Sequence, residues 1–211
     1  MEKVRMAMAG IILVSLSFTT QAQDSKFILQ INGGGGISSL RNDLDYDLSY
    51  SGELQARYIL NNHFSTILGI GFEQIGVRED ITYYDQGWQP MYTYATRKSF
   101  DYLKVPLLLR AETGNKTKYF ITAGFTYGHL LNRKNHYTDQ TDDALYIQPI
   151  DTYRTPNIAL SAGAGMQFAI GEKTGVGFEI RENFGLIDIS TSNNSAKTQS
   201  LHLLAGLNYR L

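Results

Sequence analysis

Ser49-Tyr50-Ser51-Gly52-Glu53-Leu54-Gln55-Ala56-Arg57-Tyr58 alternates without a break. Tyr50, Gly52, Leu54, Ala56 and Tyr58 fall on one side of an extended chain, and Ser49, Ser51, Glu53, Gln55 and Arg57 fall on the other. Side chains on a strand point to opposite faces with period two, so this segment reads as a strand with an apolar face and a charged one. The same reading extends outward in both directions. Phe27–Asn32, Phe64–Glu73, Asp101–Ala111, Tyr119–Gly128, Ile158–Ile170, Val176–Asn183 and Leu201–Leu211 repeat it. That makes eight strands of roughly 9 to 13 residues, the length that crosses an outer membrane at a tilt.

The connections alternate as regularly as the faces. Ile37–Leu48, Arg78–Lys98, Leu131–Pro156 and Leu186–Thr198 are long, while the turns at Asn61-Asn62, Gly114-Asn115 and Gly171-Glu172-Lys173 are short. Asn and Gly at the short turns are expected to supply the positive φ of tight hairpins. The predicted fold is all-β: an eight-stranded antiparallel up-and-down transmembrane β-barrel, with short periplasmic turns and long outer loops. A soluble lipocalin-like barrel has the same strand count, but it turns its apolar residues inward and lacks the loop asymmetry.

Composition agrees once the two faces are separated. The chain has 211 residues, 20 glycines, 14 tyrosines and no cysteine, and its net charge is −1. Disulfides and thiolate chemistry are excluded, and no basic excess points to nucleic acid. The mean hydropathy of −0.23 is the average of a lipid face, a polar lumen and polar loops. No run of 18 apolar residues offers a membrane helix. Outward aromatics such as Phe27, Tyr50, Tyr58, Phe64, Tyr119, Tyr127, Phe184 and Tyr209 are expected to form interfacial girdles.

Residues 1–22 read as a signal peptide. Lys3 and Arg5 precede the apolar stretch Met6–Phe18, and Thr20-Gln21-Ala22 places small residues for cleavage after Ala22. The barrel domain is then 23–211, exported to the outer membrane of a Gram-negative bacterium, with outer-membrane lipid as its first partner.

The inward face collects Glu53, Arg57, Glu73, Lys104, Arg110, Glu179, Arg181, His202 and Arg210. Eight strands leave an interior just wide enough for side chains, and buried charges must pair. The expectation is a structural charge network that plugs the lumen. The alternative is a narrow pathway for small solutes.

Chemistry-bearing motifs are sparse. His63, His129, His136 and His202 form no metal-ligand spacing, so no cofactor or metal is expected. A lipid-acting enzyme would need His129 or His136 beside an acid such as Asp139, Asp142 or Asp143, with no GxSxG present. The same acids lack calcium-loop spacing. Tyr83, Tyr84, Trp88, Tyr92 and Tyr94 crowd the segment Thr82–Tyr94. They either contact an extracellular ligand or another envelope protein, or belong to strands that continue above the membrane.

Phe100-Asp101-Tyr102-Leu103-Lys104-Val105-Pro106-Leu107-Leu108-Leu109-Arg110 resembles the YLEIPLLLK-type signature of the PorT-like outer-membrane β-barrel family of Bacteroidota. Tyr119–Gly124 is similar to that family's fifth strand, and Ala162–Met166 to its glycine-rich sixth. Glu179-Ile180-Arg181 through Gly185–Ile189 is similar to its RY…GLxNI segment, with Glu182 and Asp188 departing from the usual aromatic and asparagine. The resemblance spans about 24–211. It implies an outer-membrane barrel of non-enzymatic, structural, interaction or secretion-accessory role, and makes Pro106 inside a strand expected. No residue-level role carries across.

Overall fold

A computed structural model describes residues 26–40, 45–85, 87–137, 155–190 and 196–211. The signal peptide expected at 1–22 and the acids Asp139, Asp142 and Asp143 lie outside them. Eight strands follow one another in order: β1 (Phe27–Leu40), β2 (Asp47–Ile59), β3 (Phe64–Tyr84), β4 (Pro90–Thr113), β5 (Thr117–Tyr137), β6 (Pro156–Ala169), β7 (Thr174–Gly185) and β8 (Thr198–Arg210). Each pairs antiparallel with its neighbour, and β1 closes on β8. Closure leaves no open edge around the ring, so every ladder is satisfied within the chain, which a lipid environment demands.

Burial follows the alternation. In β2 the inward residues from Asp47 to Arg57 are buried and those between them exposed. Leu54, Leu68, Leu109, Ile121, Ile180 and Leu203 are more than half exposed on the outside, which marks a belt that lipid, not water, covers. The Phe27 and Tyr58 rings meet in a tilted pair, 5.0 Å between centroids, at the short-turn end of that belt, where girdle aromatics sit.

Three strands are far longer than the sequence pattern implied. β3, β4 and β5 have 21, 24 and 21 residues. The stretch Arg78–Lys98 is therefore mostly paired strand, with Arg78 opposite Arg97 and Tyr83 opposite Tyr92. The chain from Leu131 to Tyr137 likewise continues β5, which places His129 and His136 in a strand. β1 runs through the Gly33–Gly36 run to Leu40. In β1 alternation fades because glycines carry no side chain to alternate.

The short turns also differ in chemistry. Among the described residues only Gly114, at φ 101°, takes the left-handed conformation at a short turn. At the β2–β3 turn the Asn61 side chain accepts hydrogen bonds from the backbone N–H groups of His63 and Phe64, both at 2.9 Å, so the asparagine closes the turn without a positive φ.

Pro106 sits inside β4, buried in the lumen. The β3–β4 ladder is interrupted at this point, leaving Gly69 and Ile70 without partners opposite Val105 and Pro106, where proline has no N–H to give. A Cβ on Gly69 would lie 3.2 Å from the Pro106 ring and 2.8 Å from Gln55 Cγ. Glycine at 69 makes the room the ring occupies.

Candidate functional site

The inward side chains form layers along the lumen. At mid-height Arg181 on β7 is the hub. Its Nη1 reaches both oxygens of Glu53 at 2.9 Å. Its Nε and Nη2 fork onto Glu179 at 2.9 and 2.6 Å. Lys104 bonds Glu53 at 2.6 Å and approaches Glu73 at 3.5 Å. Thr122 and Ser51 complete the shell, as donor to Glu179 and acceptor from Lys104 at 2.6 Å each, and Gln55 donates to Glu53. These groups come from β2, β3, β4, β5 and β7, so the belt staples opposite walls. Charges taken out of water are tolerated only when paired and fully bonded in this way.

Toward the short-turn end a second cluster gathers around Glu112, which the sequence reading did not assign to the lumen. Arg57 and Arg110 bond its Oε2 at 2.9 Å, and Lys118 its Oε1 at 2.5 Å. Arg110 also stacks 3.6 Å over the Phe120 ring. Glu112 lies one position past the last residue of the alternating segment, and strict period two from Arg110 is the signal that finds it. Arg210, expected in this network, is exposed and makes no ion pair among the described residues. It ends β8 at the mouth, where its head reaches water.

Toward the long-loop end a neutral hydrogen-bonded group and an apolar cluster join the filling. Asn183, Ser161, Thr126, Ser200, Asn157 and Thr198 link by side-chain hydrogen bonds of 2.7–3.2 Å. Beyond them Ile75, Val77, Phe100 and Tyr102 pack into a buried cluster with Leu40 and Leu130. The interior is mixed along its length, with Ile28, Ile67, Leu108 and Phe120 buried toward the short turns and Asp47, Lys98 and Asp101 buried toward the long loops, a correction to the wholly polar interior expected from the charges.

One trio has the composition of a hydrolytic site without its geometry. Ser49 Oγ lies 2.8 Å from His202 Nε2, and Glu73 is 3.8 Å from the same nitrogen. In a nucleophilic site the acid orients the imidazole through its other nitrogen. The Ser49 hydroxyl instead donates to the Gln74 carbonyl at 2.6 Å, and all three residues are buried in the plug. No group of three or more His, Cys, Asp or Glu side chains able to hold a metal ion occurs among the described residues.

Among the described residues a cavity of about 20 Å³ lies on either side of the charged belt. A water needs on the order of 10–15 Å³ of such space, so each admits a water-sized occupant and no sugar or nucleotide.

At the far end of the molecule β3 and β4 close in a tight turn, Asp85–Gln89. Asp85 Oδ1 accepts the backbone N–H groups of Gly87 and Gln89 at 2.8 Å. Its own N–H donates to the Gln89 carbonyl at 2.9 Å, and Trp88 N–H to the Asp85 carbonyl at 3.1 Å. Trp88 is 82 % exposed and holds φ at 59°, which costs a non-glycine residue about 1–2 kcal/mol. Of the proposed contact residues, Trp88 caps this turn. Tyr83, Tyr84 and Tyr92 lie on the paired strands just below it.

A closed eight-stranded antiparallel ring with an apolar outer belt and a paired ionic interior defines an outer-membrane β-barrel. The chain belongs to the family described as the outer membrane protein beta-barrel domain, whose family model matches residues 21–191; its place is the outer membrane of a Gram-negative bacterium. Neisserial surface protein A is 12 % identical, covers 89 % of this chain and 98 % of its own, and superimposes with a TM-score of 0.51. Ail of Yersinia pestis is 16 % identical over 89 % of this chain and 100 % of its own, at 0.45. OprG of Pseudomonas aeruginosa is 11 % identical over 89 % and 96 %, at 0.47. The likeness to Neisserial surface protein A is one of fold, and a fold does not assign a role. A search of curated protein sequences finds no match.

Proposed function

We propose that this protein is a non-enzymatic interaction barrel. A structurally plugged membrane ring holds up the β3–β4 hairpin, and its tip docks an extracellular ligand or another envelope protein. The observation that carries this reading is the tip itself. The one tryptophan of the chain is set on a turn braced by four hydrogen bonds and holds the left-handed position that closes it, with its side chain turned out to solvent. Strained residues persist where surrounding structure enforces them, and they cluster at contact sites. An exposed aromatic on a rigid base binds with little ordering cost.

The lumen supports the same reading. The Glu53–Arg181–Glu179 belt separates two water-sized cavities, an arrangement suited to a scaffold more than to a solute path. The paired charges have no free base beside a reachable nucleophile. The resemblance to PorT-like barrels adds secretion machinery to the classes of envelope partner, and residues 1–22 are taken as a signal peptide cleaved on export.

The test is site-specific photocrosslinking in intact cells, with a benzophenone residue in place of Trp88 or, as control, of Leu203 in the lipid belt. The reading expects a discrete protein or glycan adduct from position 88 and none from 203. Equal labelling from both, or none from 88, contradicts it.

A further inference from the structure

The short-turn mouth of the barrel holds far more cations than acids. Arg57, Arg110 and Lys118 already share the carboxylate of Glu112. Lys26, Lys116, Lys173 and Arg210 are exposed and make no ion pair among the described residues. The other acidic side chain at this end is Glu172, exposed in the turn beside Lys173. Asp24, the next acid along the chain, lies outside the described residues. The whole chain has a net charge of −1, so the excess is local to this rim.

The four exposed cations form one arc. They leave the ring between β5 and β1, which are joined through β6, β7 and β8 as successive neighbours. Backbone bonds fix their stations. The Ala169 N–H donates to the Lys116 carbonyl at 3.5 Å, the Arg210 N–H to the Lys173 carbonyl at 2.8 Å, and the Leu211 N–H to the Phe27 carbonyl at 3.2 Å. The third short turn, Asn61-Asn62-His63, carries no lysine or arginine. Depth is marked by aromatics. Phe27, Tyr119 and Tyr209 are exposed at the ends of β1, β5 and β8, and such rings rest at the level of lipid headgroups. Lys26 precedes Phe27 and Arg210 follows Tyr209, while Lys116 and Lys173 lie in the turns just beyond. Their long stems let the charged heads settle at phosphate depth.

We propose that the arc of Lys26, Arg210, Lys173 and Lys116 binds the phosphodiester headgroups of anionic phospholipid in the periplasmic leaflet. The short turns of such barrels face the periplasm, and the arc continues the apolar belt that lipid already covers. Clustered basic residues beside a membrane span recognise anionic headgroups through the surface potential. The Arg57–Arg110 pair, held above with one carboxylate between them, adds field of the same sign. A soluble acidic protein would meet the same charge, but it has no use for aromatics that hold the arc at headgroup depth.

The full chain in nanodiscs of equal parts phosphatidylglycerol and phosphatidylcholine tests this, by extraction into mild detergent and quantitation of the lipids that stay bound. Wild type is expected to retain phosphatidylglycerol over phosphatidylcholine by about fivefold at low salt, and the excess should fade at about 0.5 M sodium chloride. The combined variant Lys26→Gln, Lys116→Gln, Lys173→Gln, Arg210→Gln is expected to retain the two lipids equally. The control Arg78→Gln, Lys134→Gln, which removes exposed cations at the long-loop end, should keep the wild-type ratio. Equal retention by wild type, an undiminished excess in the rim variant, or an equal loss in the control overturns the proposal. So does capture of soluble polyglutamate by a wild-type protein that does not distinguish the lipids, which would assign the arc to an acidic protein. Should the rim variant not fold, Lys116→Gln with Lys173→Gln, both in turns, carries the comparison, and the excess should then fall by about half or more. No arm involves Trp88, so the outcome is separable from that of the interaction reading.

Discussion

From Glu53 to Arg57 every inward position of β2 carries a long polar side chain and every outward one is apolar. From Gly76 to Tyr84 of β3 no such rule holds, although both segments are paired strand in one sheet. The difference is solvent. Inside the membrane, lipid on one side and a narrow lumen on the other constrain each face separately, so a single misplaced side chain is expensive. Above it, the β3–β4 hairpin continues as paired strand, held by backbone ladders and by its turn. The lower region is thus a scaffold with little tolerance, and the upper one is free to carry recognition.

The largest effect is expected where the ring is most constrained. Arg181→Met removes the cation that Glu53 and Glu179 share and leaves both carboxylates buried. A loss of about 3–5 kcal/mol is expected, read as a lower urea midpoint and lost heat-modifiable gel migration. Glu112→Gln leaves three cations without their carboxylate and should cost about 2–3 kcal/mol by the same assay. Gly69→Val sets a branched side chain against the Pro106 ring and the Leu54 carbonyl, and about 1–3 kcal/mol is expected for such overpacking. In the hairpin the signs of the comparison reverse. Asp85→Ala should leave the urea midpoint within about 0.5 kcal/mol of wild type while amide exchange at Gly87–Gln89 accelerates. Trp88→Ala should be smaller still in stability, with the loss confined to partner capture. If a hairpin variant unfolded the barrel, or a belt variant did not, the division between the regions would be wrong.

The same contrast explains what the sequence revealed. Strand number, order, closure, the lipid face and most lumen charges were legible, because alternation records two environments at each position. The upper parts of β3, β4 and β5 were not, since the sequence carries no sustained apolar alternation there. Gly33–Gly36 hid the upper end of β1 for want of side chains. Glu112 escaped because the alternating segment ended one residue before it, and Arg210 misled because period two places it inward while its position at the strand end lets it reach water. The apolar cluster of Ile75, Val77, Phe100 and Tyr102 was hidden because inward residues were expected to be polar along the whole lumen. Trp88 and its neighbouring tyrosines were visible as composition, but only the Asp85 turn shows that the tryptophan is held at a tip.

Planar-bilayer recording tests the central claim, that the ring is a sealed scaffold, most directly. The purified full chain inserted into a lipid bilayer is predicted to give no stable single-channel steps above baseline, because the Glu53–Arg181–Glu179 belt fills the lumen between its two small cavities. Reproducible, long-lived steps from the wild-type protein would contradict the account.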